Sequence, residues 1–227
     1  EVLRLSTEVI AGNPHLGDYA RRYSSHVNVI PTCVDTDVWV PSSRPPRSGP
    51  PVIGWIGTPT TTAYLMGLQD VFGALAKEHE FVLRVSGSVS PVEMRGVTIE
   101  NEPWTRQREI ELFNTCDIGV YPLPNDEWTL GKCGFKAIQF MACAVPTVAS
   151  PVGVNNQIIE DGTSGLLANT EAEWRDRLRM LITDAEARRR IGRAGRARIE
   201  EQYSLRANAP AVVSVFERAA AKVHAHA

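Results

Sequence analysis

Two lysines and a glutamine interrupt the apolar stretch GKCGFKAIQFMACAVPTVASPVGVNNQIIEDG, residues 131–162. Lys132, Lys136 and Gln139 are spaced i, i+4, i+7. That spacing predicts one polar stripe on a helix over 132–143, with Phe135, Ile138, Met141 and Ala142 turned into the core. Two cations at the start of a helix, where the dipole is positive, suit an anion, and the amide beyond them suits a sugar hydroxyl. A solvated polar face is the plainer alternative.

Such a stripe needs a scaffold, and the surrounding sequence supplies one. Short apolar runs alternate with helical periodicity: VIGWIG (52–57), FVLRVSG (81–87), VTIE (97–100), DIGVYPL (117–123), PTVAS (146–150) and SGLLA (164–168) read as strands. Helices are expected over 63–78, 106–114, 155–160, 172–183, 185–201 and 205–224. Strands alternating with helices predict an α/β fold with a parallel sheet covered on both faces. Ligands of such sheets bind beyond the carboxyl ends of the strands. The first exit, GTPTTT, offers Gly57 and Thr58 to a phosphate or sugar, against the simpler reading of a helix cap. At the second, Ser86 and Gly87 permit close backbone approach. Trp104 follows the third and is placed to line a base pocket or to pack. The fourth exit, YPLPNDEWTLGK, is a long acidic loop carrying Asp126, Glu127 and Trp128, and long loops at such positions tend to be functional.

Ahead of this unit, VIAGN leads into PHLGDYARRYS, where Asn13 caps a helix that has Pro14 at its first position. VNVIP is a further strand. PSSRPPRSGPP (41–51) has linker composition. The expected organisation is therefore residues 1–40, a linker at 41–51, the main domain at 52–204 and a last helix at 205–227. Asp35 and Asp37 read as a turn. The run RRRIGRAGRAR (188–198) is basic enough to touch anionic lipid, so peripheral membrane association stands beside a solvated helix face.

The 227 residues carry a net charge of −2, which argues against a nucleic-acid partner. No apolar run approaches the ~20 residues of a membrane span. The chain starts at Glu and shows no secretory signal, so a partial chain is expected. Cys33, Cys116, Cys133 and Cys143 form no C-x-x-C pair, which suits a reducing compartment and not a zinc site. No dinucleotide or P-loop glycine pattern is present.

KAIQFMACAVPTVASPVGVNNQIIEDGTSGLLA resembles the signature of the GT-B glycosyltransferases, specifically glycosyltransferase family 4: a helix ending E-A-M-A, then G-x-P-V-V-A-S, then E-I-I-x-D-G-x-x-G-L-L. EARRRIGRAGRARIEEQYS resembles the closing segment of that family. VIAGNPHLGDYARRY and VNVIPTCVDTDVW resemble its interdomain passage. The resemblance implies a Rossmann-like carboxyl-terminal half that binds a nucleotide-sugar, with the amino-terminal acceptor domain missing. The leading reading is a retaining transfer, metal-independent if the lysines stabilise the leaving diphosphate, in the cytoplasm as the cysteines suggest, and at the inner membrane face if the basic run binds lipid.

Two glutamates of the family pattern fall on Gly131 and Gln139. Gln139 is then the ribose ligand, Asp126 or Glu127 stands in for the lost sugar-binding carboxylate, and Lys132 and Lys136 replace absent phosphate-binding cations. Glu127 and Lys136 are the catalytic candidates. Gly57, Thr58, Ser86, Gly87, Trp104, Asp126, Lys132 and Gln139 are the substrate-binding ones. Ala144 replaces a usual glycine. A nucleotide-sugar epimerase and a non-catalytic interaction module are the competing readings. The chain alone is expected to lack transferase activity. Its last helix is expected to pack partly on residues 1–30, leaving apolar surface exposed or used in self-association.

Overall fold

The computed structural model describes residues 1–43 and 48–224. Residues 44–47 of the expected linker and 225–227 of the last helix lie outside them. The first strands, β1 (Val9–Ala11) and β2 (Val27–Val29), pair in parallel around the Pro14–Arg21 helix. The main sheet holds β3 (Val52–Ile56), β4 (Val82–Ser86), β5 (Ile99–Glu102), β6 (Ile118–Tyr121), β7 (Thr147–Ala149) and β8 (Leu166–Leu167). All five pairings are parallel, in the order β5-β4-β3-β6-β7-β8.

The predicted elements are present, with shifted ends. The helix expected over 63–78 is divided into Thr62–Met66 and Gln69–Leu75. The strand expected at 97–100 runs Ile99–Glu102. A short helix, Glu127–Leu130, had no periodic signal. The helix expected over 132–143 runs only Phe135–Ala142, because Gly134 precedes it at φ 66° and breaks the run. Lys132 is therefore off the helix, and the expected stripe does not exist as a helix face.

Two cores flank the sheet. On one face, Leu65, Val71, Phe72 and Leu75 meet Trp174, Leu178 and Leu181 against β3, β4 and β6. On the other, the Phe135–Ala142 helix buries Ala137, Ile138, Phe140, Met141 and Ala142. This helix lies unusually close to the sheet. A Cβ at Gly119 in β6 would sit 2.5 Å from the Phe140 ring, so only glycine admits the ring there. Phe140 has no exposed surface, a burial worth roughly 1.5–3 kcal/mol. The first helical residue departs from expectation: Phe135 is 39% exposed at the carboxyl edge of the sheet.

Residues 1–43 are tied to the main unit through backbone. Val34 and Leu205 exchange main-chain hydrogen bonds with Tyr203 and Val34. Arg196 donates to the carbonyls of Trp39, Thr36 and Ala142. Arg198 donates to those of Gln157 and Ile158, and Arg188 to those of Leu181 and Ile182. Three cations of the basic run thus act inside the fold as carbonyl caps. The Leu205–His224 helix does reach residues 1–30: Lys222 pairs with Glu8 at 2.8 Å and Arg218 donates to Asn28 at 2.7 Å. Val215 is buried on it, while Phe216 and Val213 are exposed. Asp35 makes the expected turn, accepting from Asp37 N.

Candidate functional site

The chain runs β3 to β4 to β5, then returns to the other side of β3 to form β6. The crossover after β3 and the crossover after β6 lie on opposite faces, which opens a crevice at their carboxyl ends. Its floor is backbone. Gly57 N donates to Ser86 O at 3.0 Å, and Gly87, at φ 94°, lies so close that a Cβ would be 2.2 Å from Gly57 O. Ser86 is 1% exposed and its Oγ has no partner. Thr58 spends its hydroxyl locally, on Thr60 and Thr61.

The Phe135–Ala142 helix points its amino end into this crevice. Gly134 provides the left-handed turn that ends the preceding loop. Its missing Cβ leaves room for Ile158 and for Asn155 Oδ1, a buried acceptor without a partner. Asn155 uses its other amide atom on Ser150 O. Asn13 fixes the loop before the helix. Its Oδ1 caps the Pro14–Arg21 helix through Leu16 N, and its Nδ2 lies 3.0 and 3.2 Å from the carbonyls of Gly131 and Lys132. The cap was legible in the sequence; its second task was not, because the loop it holds is more than a hundred residues away.

The three polar residues of the stripe separate. Lys132 reaches over Tyr64, 6.0 Å from the ring centroid, beside the exit of β3. Lys136 and Gln139 turn the other way, towards Glu109, the first residue of the Glu109–Asn114 helix. Lys136 Nζ is 3.2 Å and Gln139 Nε2 3.4 Å from Glu109 Oε1. Burial pulls the Lys136 amine below its usual range, and the Glu109 charge opposes that shift. Its cation is thus matched within the chain and is not the free phosphate ligand expected. Gln139 is 1% exposed and its Oε1 has no partner. Glu109 was missed by sequence reasoning because no motif surrounds it.

The acidic loop is built differently from its expected role. Asp126 accepts from Thr129 N at 2.8 Å and caps the Glu127–Leu130 helix; these hydrogen bonds hold its carboxyl below the usual range. Glu127 is exposed and stands 3.3 Å from His15 Nε2. Trp104 and Trp128 are exposed near the same edge of the sheet. A cavity of about 280 Å³ is bounded by Tyr64, Pro122, Pro124, Ser150, Asn169 and Trp174, and neither exposed tryptophan lines it. No group of three or more metal-ligating side chains is found among the described residues.

Residues 50–184 match the family model for glycosyl transferases group 1. The chain belongs to that family. A D-inositol 3-phosphate glycosyltransferase of Arthrobacter sp. (strain FB24) is 26% identical over 224 residues, which take in 83% of this chain and 50% of that protein. This group 1 chain thus spans about half the length of that relative. Its fold is shared with sucrose-phosphate synthase from Thermosynechococcus elongatus, at TM-score 0.72 and 18% identity over 97% of this chain and 60% of that one. It is also shared with Anabaena Alr3699/HepE in complex with UDP and glucose, at TM-score 0.71 and 16% identity over 98% and 64%. The group 1 chain is therefore an α/β protein with the Rossmann-like parallel sheet of its GT-B neighbours, and no described helix is long and apolar enough to cross a membrane.

Proposed function

We propose that this chain is the carboxyl-terminal, donor-binding half of a retaining family 4 transferase, holding a nucleoside-diphosphate sugar at the carboxyl edge of its main sheet. One observation carries the reading. Of four buried polar atoms without hydrogen-bond partners among the described residues, three, Ser86 Oγ, Gln139 Oε1 and Asn155 Oδ1, are on elements that border this one crevice; the fourth, His79 Nε2, lies at the opposite end of the sheet. Buried polar atoms are normally satisfied, and an orphan is costly unless something else supplies its partner. Around them stand an open helix amino end, close-approach glycines and one outward-facing lysine, a set suited to an anionic ligand with hydroxyls.

In this reading the diphosphate lies against the amides after Gly134 and beside Lys132. As it leaves, its developing charge is stabilised by fixed donors, without a metal ion. Gly57, Thr58, Ser86 and Gly87 line the crevice floor, Trp104 flanks the base, and Glu127 borders the sugar. The acceptor domain belongs to the rest of a longer protein, and the chain alone transfers nothing because the second substrate is not positioned. Exposed Tyr19, Val29 and Phe216 suit contact with such a domain. The free thiols support a reducing, cytoplasmic setting.

Thermal melting with UDP-, GDP- and ADP-sugars tests this. A donor present at a hundred times its Kd adds about 2.7 kcal/mol to stability and raises Tm. Absence of any shift with all three at millimolar concentration would defeat the proposal. The His15–Glu127 pair favours a second reading, a nucleotide-sugar epimerase, since it places an acid and a base together at the crevice rim. Solvent deuterium entering a bound sugar, and failing to enter with His15→Asn, would select it.

A further inference from the structure

Residues 1–30 meet the loop before the Phe135–Ala142 helix at one buried side chain. Asn13 is 1% exposed and stands between β1 and the Pro14–Arg21 helix. Its Oδ1 accepts from Leu16 N at 2.7 Å, and its Nδ2 faces the carbonyls of Gly131 and Lys132 at 3.0 and 3.2 Å. The amide cannot be turned over, because its oxygen would then meet two carbonyl oxygens and its nitrogen an N–H. The cap needs only an acceptor, and serine, threonine or aspartate would supply one. The two donors serve the loop alone. Capping therefore does not account for asparagine at this position, and the loop does.

The loop is close-fitted on the same side. A Cβ at Gly12 would lie 2.6 Å from Cys133 Sγ, and one at Gly131 would lie 3.6 Å from Leu16. Gly134 follows at φ 66° and delivers the chain into the helix whose amino end opens on the crevice. A shift of residues 12–16 is thus passed to the loop and to the helix amides behind it. Residues 1–30 are seated in turn on the last helix, where Lys222 pairs with Glu8 and Arg218 donates to Asn28. Between that seat and the loop runs a cavity of about 210 Å³, bounded by Gly12, Cys133, Ile158, Gln202 and Tyr203. Packing does not fill this seam, which leaves weight on the Asn13 hydrogen bonds.

We propose that Asn13 is a positioning residue for the donor site, coupling the seat of residues 1–30 to the diphosphate end of the Phe135–Ala142 helix. This rests on the donor-binding reading above and adds a means of regulating it. Displacing residues 1–30 from the seam releases the loop and weakens the hold on a diphosphate. The coupling is reciprocal, so a bound diphosphate tightens the seat by the same factor.

The test compares the unaltered chain with Asn13→Asp and Asn13→Ser, using UDP, GDP, ADP and inorganic pyrophosphate. Both substitutions keep an oxygen for Leu16 N. An ionised aspartate has no donor for the carbonyls, and serine is too short to reach both. Serine brings no charge, so it carries the test should aspartate prevent folding. Calorimetry should show nucleotide and pyrophosphate weakened together by about fivefold or more in each folded variant, the low end of ordinary coupling between sites. Amide hydrogen exchange supplies a readout that lost stability alone would not move. In the unaltered chain the ligand should slow exchange in the Pro14–Arg21 helix as well as over 131–135, and in the variants over 131–135 alone. Undiminished affinity in a folded variant would overturn the role of Asn13 and leave donor binding standing. Weaker nucleotide binding with unchanged pyrophosphate affinity would move the effect away from the diphosphate end and overturn it as well. Slowing of the Pro14–Arg21 helix that persists in the variants would overturn the coupling. No affinity of the unaltered chain for any of the four ligands would overturn the donor reading and this one together.

Discussion

The two ends of the main sheet are finished differently. At the amino end, one buried atom, His79 Nε2, lacks a hydrogen-bond partner, and other polar groups are matched: Asp117 Oδ2 accepts from Val52 N at 2.8 Å, Arg84 joins Glu100 and the Thr115 carbonyl, and Arg188 caps two carbonyls. The buried thiols of Cys116 and Cys143 sit there as well. At the carboxyl end, Ser86, Gln139 and Asn155 each leave a buried atom unmatched. The same chain matches most polar groups at one end and leaves more of them unmatched at the other. The contrast is one of degree, three orphans against one, and it is the ground for the proposed donor site at the carboxyl edge.

The amino end should fail first in alkali, and by the largest margin. Burial pushes the Cys116 and Cys143 thiols up to about 12 from 9.0. In the unfolded chain they ionise near pH 9, so that state loses protons first. Their contribution is full below pH 9 and is lost as pH climbs towards 12, by several kcal/mol in all at roughly 1.4 kcal/mol per unit. Urea midpoints measured between pH 8 and 11 should fall steeply, and less so with Cys116→Ala. Lys136 acts in the opposite sense. Burial holds it below 10.5, so the unfolded chain keeps its proton longer and stability rises as pH passes through the folded value. Lys136→Met should delete that rising component.

Next in size is Asp117→Ala. It orphans the Val52 amide on β3, which is fully buried, and should cost about 1–3 kcal/mol in chemical unfolding while leaving nucleotide affinity unchanged. An equal loss of affinity would show that the two ends are not separable. Smaller again is Ala144→Gly. Ala144 stands at φ 55°, where a side chain is strained, and glycine should stabilise by up to about 1 kcal/mol. Smallest is Ser86→Ala, which removes an orphan and should change stability by under about 1 kcal/mol in either direction. Its effect should instead appear in ligand binding.

Much of the fold was legible because alternating apolar runs and helical periods report burial directly. The Asn13 cap and the Asp35 turn followed from local chemistry, and the return of the last helix to residues 1–30 followed from the resembled fold. The site was less legible. Lys132, Lys136 and Gln139 fit one helical face on paper, but Gly134 ends the run before Lys132, and an αL residue leaves no trace in periodicity. Lys136 looked like a free cation because its partner, Glu109, is 27 residues away on another helix. Asn155 read as an ordinary helix start, since an unsatisfied oxygen is a property of three-dimensional packing. Position 139 illustrates the limit. The loss of a carboxylate there was visible, and the carboxylate that the fold returns to the same corner was not.

The most direct test of the contrast between the two ends is calorimetric titration of the unaltered chain, Ser86→Ala, Lys132→Ala and Asp117→Ala with UDP, GDP and ADP. Saturable binding of at least one diphosphate is expected in the unaltered chain. It should weaken by roughly 10- to 150-fold in Ser86→Ala and Lys132→Ala, the range for one hydrogen bond to a charged group, and stay unchanged in Asp117→Ala. No binding by the folded, unaltered chain, or equal affinity in all four proteins, would contradict the assignment of the carboxyl edge as the donor site.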